Sequence, residues 1–122
     1  MSFTLTNEER EGYIYFHVEG RDSLEVSKAY FSEVFRQAAE LGYKKILIDE
    51  ALEGGLNTIE MYDLTEMISS VENKALLKVA FVDHDAKNAT DQEFGVTVVR
   101  NRGMNAKRFS SVEEARDWLL SK

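Results

Sequence analysis

The chain has 122 residues, 43% of them hydrophobic, which suits one domain with a sizeable core and is too short for two. Fifteen basic residues against 22 acidic ones give a formal net charge of -7, which repels polyanions and sets nucleic acid aside as a partner. There is no cysteine, so disulfides, thiolate metal sites and cysteine nucleophiles are excluded together. The opening stretch from Met1 to Glu8 carries neither a basic region nor an apolar run, so no secretory signal is expected. No apolar run approaches the roughly 18 residues of a spanning helix, and a soluble, cytoplasmic protein is the expectation.

Residues 3–9 and 13–19 flank Arg10-Glu11-Gly12 and read as an antiparallel hairpin. Both faces of Tyr13-Ile14-Tyr15-Phe16-His17-Val18 are largely apolar, which predicts a strand inside the sheet. After a break at Gly20-Arg21-Asp22-Ser23, where Asp22 or Ser23 can cap, the positions Leu24, Tyr30, Phe31, Val34, Phe35, Ala38 and Leu41 share one helical face. Gly42 is placed to stop that helix.

Lys44-Lys45-Ile46-Leu47-Ile48-Asp49-Glu50 reads as a buried parallel strand whose acidic end meets solvent. Gly54-Gly55 is a turn and not a phosphate loop, since no lysine-serine/threonine run or spaced three-glycine pattern accompanies it. Asn57 and Glu60 form a capping-box pair for a helix reaching about Val71, with Met61, Leu64, Ile68 and Val71 on one face. Residues 75–82 repeat the buried-strand pattern and also end in acid, at Asp83-His84-Asp85. Phe94 to Val99 has strand propensity, yet a crossover helix is needed there, and helix is the reading. A short strand, Asn105 to Phe109, then leads to a serine-capped helix with Val112, Ala115, Trp118 and Leu119 as its buried stripe. The predicted order is β-β-α-β-α-β-α-β-α: an α/β fold of about five strands and four helices, residues 1–122 as one domain.

The whole chain resembles the STAS-like superfamily of anti-sigma factor antagonists and sulfate-transporter tails, in its small bacterial SpoIIAA-like branch. The likeness is carried by Tyr43 to Asp49, by Lys78 to Asp83, and by Asn101-Arg102-Gly103-Met104 with Arg108 to Leu119. The resemblance implies a protein-interaction or regulatory module. Its signalling members start the helix after the opening parallel strand with an aspartate-serine-serine-glycine motif, one serine of which is phosphorylated. Here that stretch is Asn57-Thr58-Ile59-Glu60, with Ile59 in the acceptor's place, so the phosphoswitch does not carry over. Thr58 is the only hydroxyl there and reads as a first-turn helix residue.

Three readings follow. In the first, a non-catalytic module without a cofactor docks an unidentified protein through Glu50, Glu53, Gly54, Gly55, Asn57, Thr58, Glu60 and Met61. In the second, related to a CRAL-TRIO-like lipid-binding branch, Tyr13, Tyr15, Tyr30, Phe31 and Phe35 line a pocket for a small apolar ligand. In the third, weaker reading, Asp49, Glu50, Asp83, His84 and Asp85 meet at adjoining strand ends as a metal or catalytic site. No nucleophile and base are paired in the sequence, so an enzyme is not expected. His17 reads as a histidine satisfied within or beside the sheet, and Arg100, Arg102, Lys107 and Arg108 as a solvated rim or a surface for an anionic partner. The apolar edge hairpin leaves a homodimer open.

Overall fold

Strand alternation decides which side chains of this sheet meet helices. A computed structural model describes residues 3–84 and 89–121 and places a five-stranded sheet in the order β1-β2-β3-β4-β5. Strands β1 (Phe3–Arg10) and β2 (Tyr13–Arg21) form an antiparallel hairpin, and β3 (Lys45–Glu53), β4 (Lys78–Asp83) and β5 (Asn105–Phe109) follow β2 in parallel. Helices α1 (Leu24–Leu41), α2 (Thr58–Ser69), α3 (Ala89–Asn101) and α4 (Val112–Leu120) complete the expected α/β fold.

Neighbouring parallel strands are consecutive in sequence, so each right-handed crossover leaves its helix on the same side. Helices α1, α2 and α3 therefore share one core with Ile14, Phe16 and Val18 of β2, Ile46 and Ile48 of β3, and Val79 and Phe81 of β4. The alternate residues Tyr13, Leu47, Ala80 and Val82, with Phe109, face the other way and pack against Ala115 and Leu119 of α4. Both faces of the central strands are thus covered, which is why their sequences read as continuous apolar runs.

The caps fall where the residue types require them. Ser23 Oγ accepts a bond from Val26 N at 3.1 Å, and Gly42, at φ 81°, ends α1 by returning its N–H to the carbonyls of Ala38 and Ala39. The stretch Phe94 to Val99 lies in α3, as topology demanded over local propensity. Gly95 lets α3 approach α2 closely: a Cβ there would lie 2.9 Å from Met61 Sδ.

Four expectations are corrected. The strand read from Ala75 begins at Lys78, because Asn73 adopts φ 61° and closes Lys74–Leu76 into a 3-10 turn, leaving Leu76 60% exposed. Helix α2 ends at Ser69, ahead of Val71, and β3 runs three residues beyond Glu50, to Glu53. Leu41 is exposed at the last turn of α1, where the apolar stripe has already passed the sheet, while Val26 and Ser27 are buried near its start.

Gly12 closes the β1–β2 turn at φ 88°, and a Cβ there would lie 2.8 Å from Leu120 Cδ2 at the end of α4. Gly12→Ala is expected to cost about 1–2 kcal/mol, mostly from the left-handed backbone, since the end of Leu120 can move aside. Urea denaturation of the variant beside the parent measures it; a midpoint unchanged within error would show that the turn relaxes.

Candidate functional site

The adjacent acids Asp49 and Glu50 of β3 point to opposite faces of the sheet, and each belongs to a different constellation. On the three-helix side, Glu50 and Leu52 of β3 and Phe81 and Asp83 of β4 join Asp22 ahead of α1, the Gly54-Gly55-Leu56 turn, Met61 on α2 and Val96 on α3 around a recess of about 70 Å³. Its floor is apolar. Phe31 stacks on Tyr30 with ring centres 4.3 Å apart and meets Phe81 edge-on at 5.8 Å, with Leu64, Ile68 and Val99 beside them.

Its upper wall is acidic. Tyr30 is buried and its hydroxyl donates to Glu50. Asp22 Oδ1 accepts from Ser27 Oγ at 2.6 Å, and Asp22 N donates to Glu53 O at 2.8 Å, which pins the start of α1 to the end of β3. Burial pushes the Asp22 carboxyl above its usual range against the pull of Ser27 and the Ser23 amide, and Glu60 and Asp83 push it further. Burial also drives the Tyr30 phenol well up, with Glu50, Asp22 and Asp83 adding to the shift. Among the described residues the lining carries three carboxylates and no cationic side chain.

A folded-state value raised above the usual 3.8 means that Asp22 favours the fold most at low pH, and that this contribution is lost as pH rises through the raised value. Asp22→Asn, which keeps an oxygen for Ser27, should therefore melt higher than the parent at neutral pH. The difference should fade as pH falls below about 4, a pattern that thermal scans at several pH values would read directly.

On the opposite face, parallel pairing sets His17 beside Asp49. Asp49 is only 6% exposed and accepts from Tyr15 OH at 2.5 Å; His84 Nε2 lies 3.0 Å from its Oδ1 and His17 Nδ1 3.4 Å from its Oδ2. His17 Nε2 meets Glu19 at 2.9 Å, so both ring nitrogens face carboxylates, an arrangement that suits the imidazolium. Burial works to lower the His17 pKa, and the hydrogen bonds to Glu19 and Asp49 overcome it, leaving it raised. Burial and the bond to Asp49 raise the Tyr15 phenol.

These placements sort the residues singled out from the sequence. Of the docking set, Glu50, Gly54, Gly55 and Met61 line the recess, whereas Glu53, Asn57, Thr58 and Glu60 lie outside its lining. The Asn57–Glu60 capping box is present, with Glu60 N to Asn57 Oδ1 at 2.8 Å and Asn57 N to Glu60 Oε1 at 3.1 Å, and exposed Thr58 is the first residue of α2. Of the five aromatics read as one pocket, Tyr30 and Phe31 line the recess, whereas Phe35 packs behind Phe31 in the core. Tyr13 and Tyr15 lie across the sheet, because odd-numbered positions of β2 face away from α1. The third reading divides likewise: Asp49 and His84 share one face, Glu50 and Asp83 the other, and Asp85 lies outside the described residues. Among the described residues no group of three or more histidine or acidic side chains is placed to hold a metal ion.

Of the basic residues, Arg102 is held by Glu66 at 2.5 Å and by Tyr62 OH at 3.1 Å, and Arg108 Nη2 donates to Asp83 O at 3.3 Å. Lys107 Nζ lies 5.4 Å from the Phe109 ring centre, and Arg100 is exposed. Sequence reasoning treated Asp22 as a cap and missed that it walls a recess; the pairing of Tyr15, His17 and Asp49 was also missed, although the parallel register of β2 and β3 would have given it. No family model and no curated protein matches this chain. No helix among the described residues is long and apolar enough to cross a membrane.

Proposed function

We propose that the domain is a non-catalytic interaction module of STAS-like type, which docks a protein partner through the turn at 54–57 and the first turns of α2. The observation that carries this reading is Ile59, a large apolar side chain left 82% exposed in the first turn of α2, with Tyr62 at 48% one turn on. Apolar residues in that position gain nothing from solvent, and paired with a rigid capped helix start they offer a partner a preformed anchor. The polar residues around them, Glu53, Asn57, Thr58, Glu60 and Asp63, form the kind of rim that surrounds such anchors. With Ile59 where signalling relatives keep a phosphoacceptor, docking here would be constitutive with respect to that residue.

The lipid-carrier alternative asks for much more room. Small-molecule sites usually enclose about 300–1,000 Å³, and an engineered cavity that takes benzene about 150 Å³. The recess of about 70 Å³ falls below both.

Affinity capture from the native organism, run in parallel with the parent and an Ile59→Glu, Tyr62→Glu variant of unchanged melting temperature, tests the docking reading. A protein retained by the parent and lost about tenfold or more from the variant supports it. A parent chain that repeatedly returns alone, or a partner held equally by the variant, removes it.

A further inference from the structure

The thioether of Met61 seats α2 against α3. A Cβ on Gly95 would lie 2.9 Å from Met61 Sδ, 3.5 Å from its Cγ and 3.6 Å from Thr65 Cγ2, so the sulfur occupies the notch that the missing side chain leaves in α3. Met61 is partly buried against the core and also borders the recess, together with Phe31, Leu64 and Phe81. Its sulfur is therefore both a packing element between two helices and a group that a small molecule in the recess can reach.

Size selects the reagent. At the ~30 Å³ that a water-sized group occupies, about 70 Å³ holds two or three heavy atoms, which admits hydrogen peroxide and keeps out bulkier oxidants. We infer that Met61 is an oxidation site, at which hydrogen peroxide converts the thioether to the sulfoxide and thereby loosens α2 from α3. In that step a sulfur lone pair takes one peroxide oxygen: the O–O bond breaks, an S–O bond forms, and the second oxygen leaves as water once it has gained the proton of the first. Sulfur loses two electrons and the peroxide gains them. The new oxygen is unfavourable on either side: toward Gly95 it forces the helices apart, and toward Phe31 and Phe81 it puts a strong acceptor among apolar rings.

The other described methionines give the contrast. Met67 is partly buried where α2 faces α1, with its Sδ 3.9 Å from Ser32 Oγ, so a sulfoxide there gains a hydroxyl donor beside it. Met104 is 2% exposed in the core and meets oxidant only when the chain opens. Of these three, Met61 is the one whose oxidation strains the packing of two helices. The site does not depend on the docking surface proposed for Ile59 and Tyr62, which lie outside the lining.

The test exposes the full chain to dilute hydrogen peroxide and follows each methionine by peptide mass, with thermal melting of the same samples. Met61 and Met67 should gain one oxygen at least about tenfold faster than Met104. In a Met67→Leu variant, complete conversion of Met61 should lower the melting temperature by about 3 °C or more and move the amide resonances of Gly95 and Val96 on α3. A Met61→Leu variant, with a side chain close to methionine in volume, should keep its melting temperature through the same exposure while Met67 oxidises. The inference is overturned if Met61 converts no faster than Met104, if its conversion leaves the melt and the α3 resonances unchanged, or if the Met61→Leu variant loses as much as the Met67→Leu variant.

Discussion

Phe31→Ala is expected to lower the unfolding free energy by about 3–5 kcal/mol, the range for removing a fully buried phenylalanine ring. The ring touches Tyr30, Phe35 and Phe81 and is almost wholly buried, so its loss removes three aromatic contacts and leaves a void that β-sheet and helix backbones cannot close. Phe94→Ala offers the internal comparison. Phe94 is the same residue type on α3, exposed at the surface, and its loss should stay within about 0.5 kcal/mol. Urea midpoints for the two variants, with unchanged slopes, give the comparison, and a Phe31→Ala loss below about 1 kcal/mol would mean that the recess collapses onto the missing ring. Because the ring is the floor of the recess, the same variant enlarges it.

The second large effect is expected at Asp49. Asp49→Ala deprives Tyr15, His84 and His17 of a common acceptor on the face opposite the recess, and should cost about 2–3 kcal/mol. The loss stays below that of a fully enclosed ion pair because His84 is largely exposed and can turn to water. A pH signature accompanies it. The His17 pKa is raised above 6.5 in the fold, so protonated His17 contributes stability that is fully present below about pH 6.5 and is lost as pH rises through the raised value. The groups facing His17 are Asp49 and Glu19, with His84 reached through Asp49. Removing Asp49 takes away one of the two bonds that raise the pKa, so the difference in stability between the parent and Asp49→Ala should narrow between about pH 6 and about pH 8. Denaturation curves across that interval would show it, and a constant gap would assign the cost to packing alone.

Order and type of the elements were legible because burial on both faces, helical spacing and caps all agree along most of the chain. Ser23, Gly42, Asn57 with Glu60, and Ser111 each sit at a helix boundary where side-chain chemistry fixes the backbone. Residues 94–99 show topology overriding propensity: valines favour strand, but β4 and β5 run parallel and require a crossover between them. The start of β4 was misplaced because Leu76 and Leu77 continue an apolar pattern, while the decisive fact is the left-handed Asn73 just before them.

The candidate site was legible only in halves. Sequence adjacency grouped Asp49 with Glu50, but a strand sends successive side chains to opposite faces, and the real partners are Asp49 with His17 and His84, and Glu50 with Tyr30. Tyr13 and Tyr15 were likewise grouped with Tyr30 and Phe31 on aromatic character, although their positions in β2 already place them away from α1. Asp22 was visible as a turn residue, and only the approach of β3, through Asp22 N and Glu53 O, makes it part of a wall.

Among the described residues, α4 is the helix that covers Leu47, Ala80 and Val82, and its Leu120 reaches back to Gly12 in the first hairpin. During synthesis these nine helical residues emerge after every strand has left the ribosome. Until then the second face of the central strands stays wet, with an apolar patch open to chaperones or to other nascent chains. The timing of folding in this domain is therefore governed by its last helix: the sheet can pair strand by strand, but the patch on that face closes only when α4 arrives.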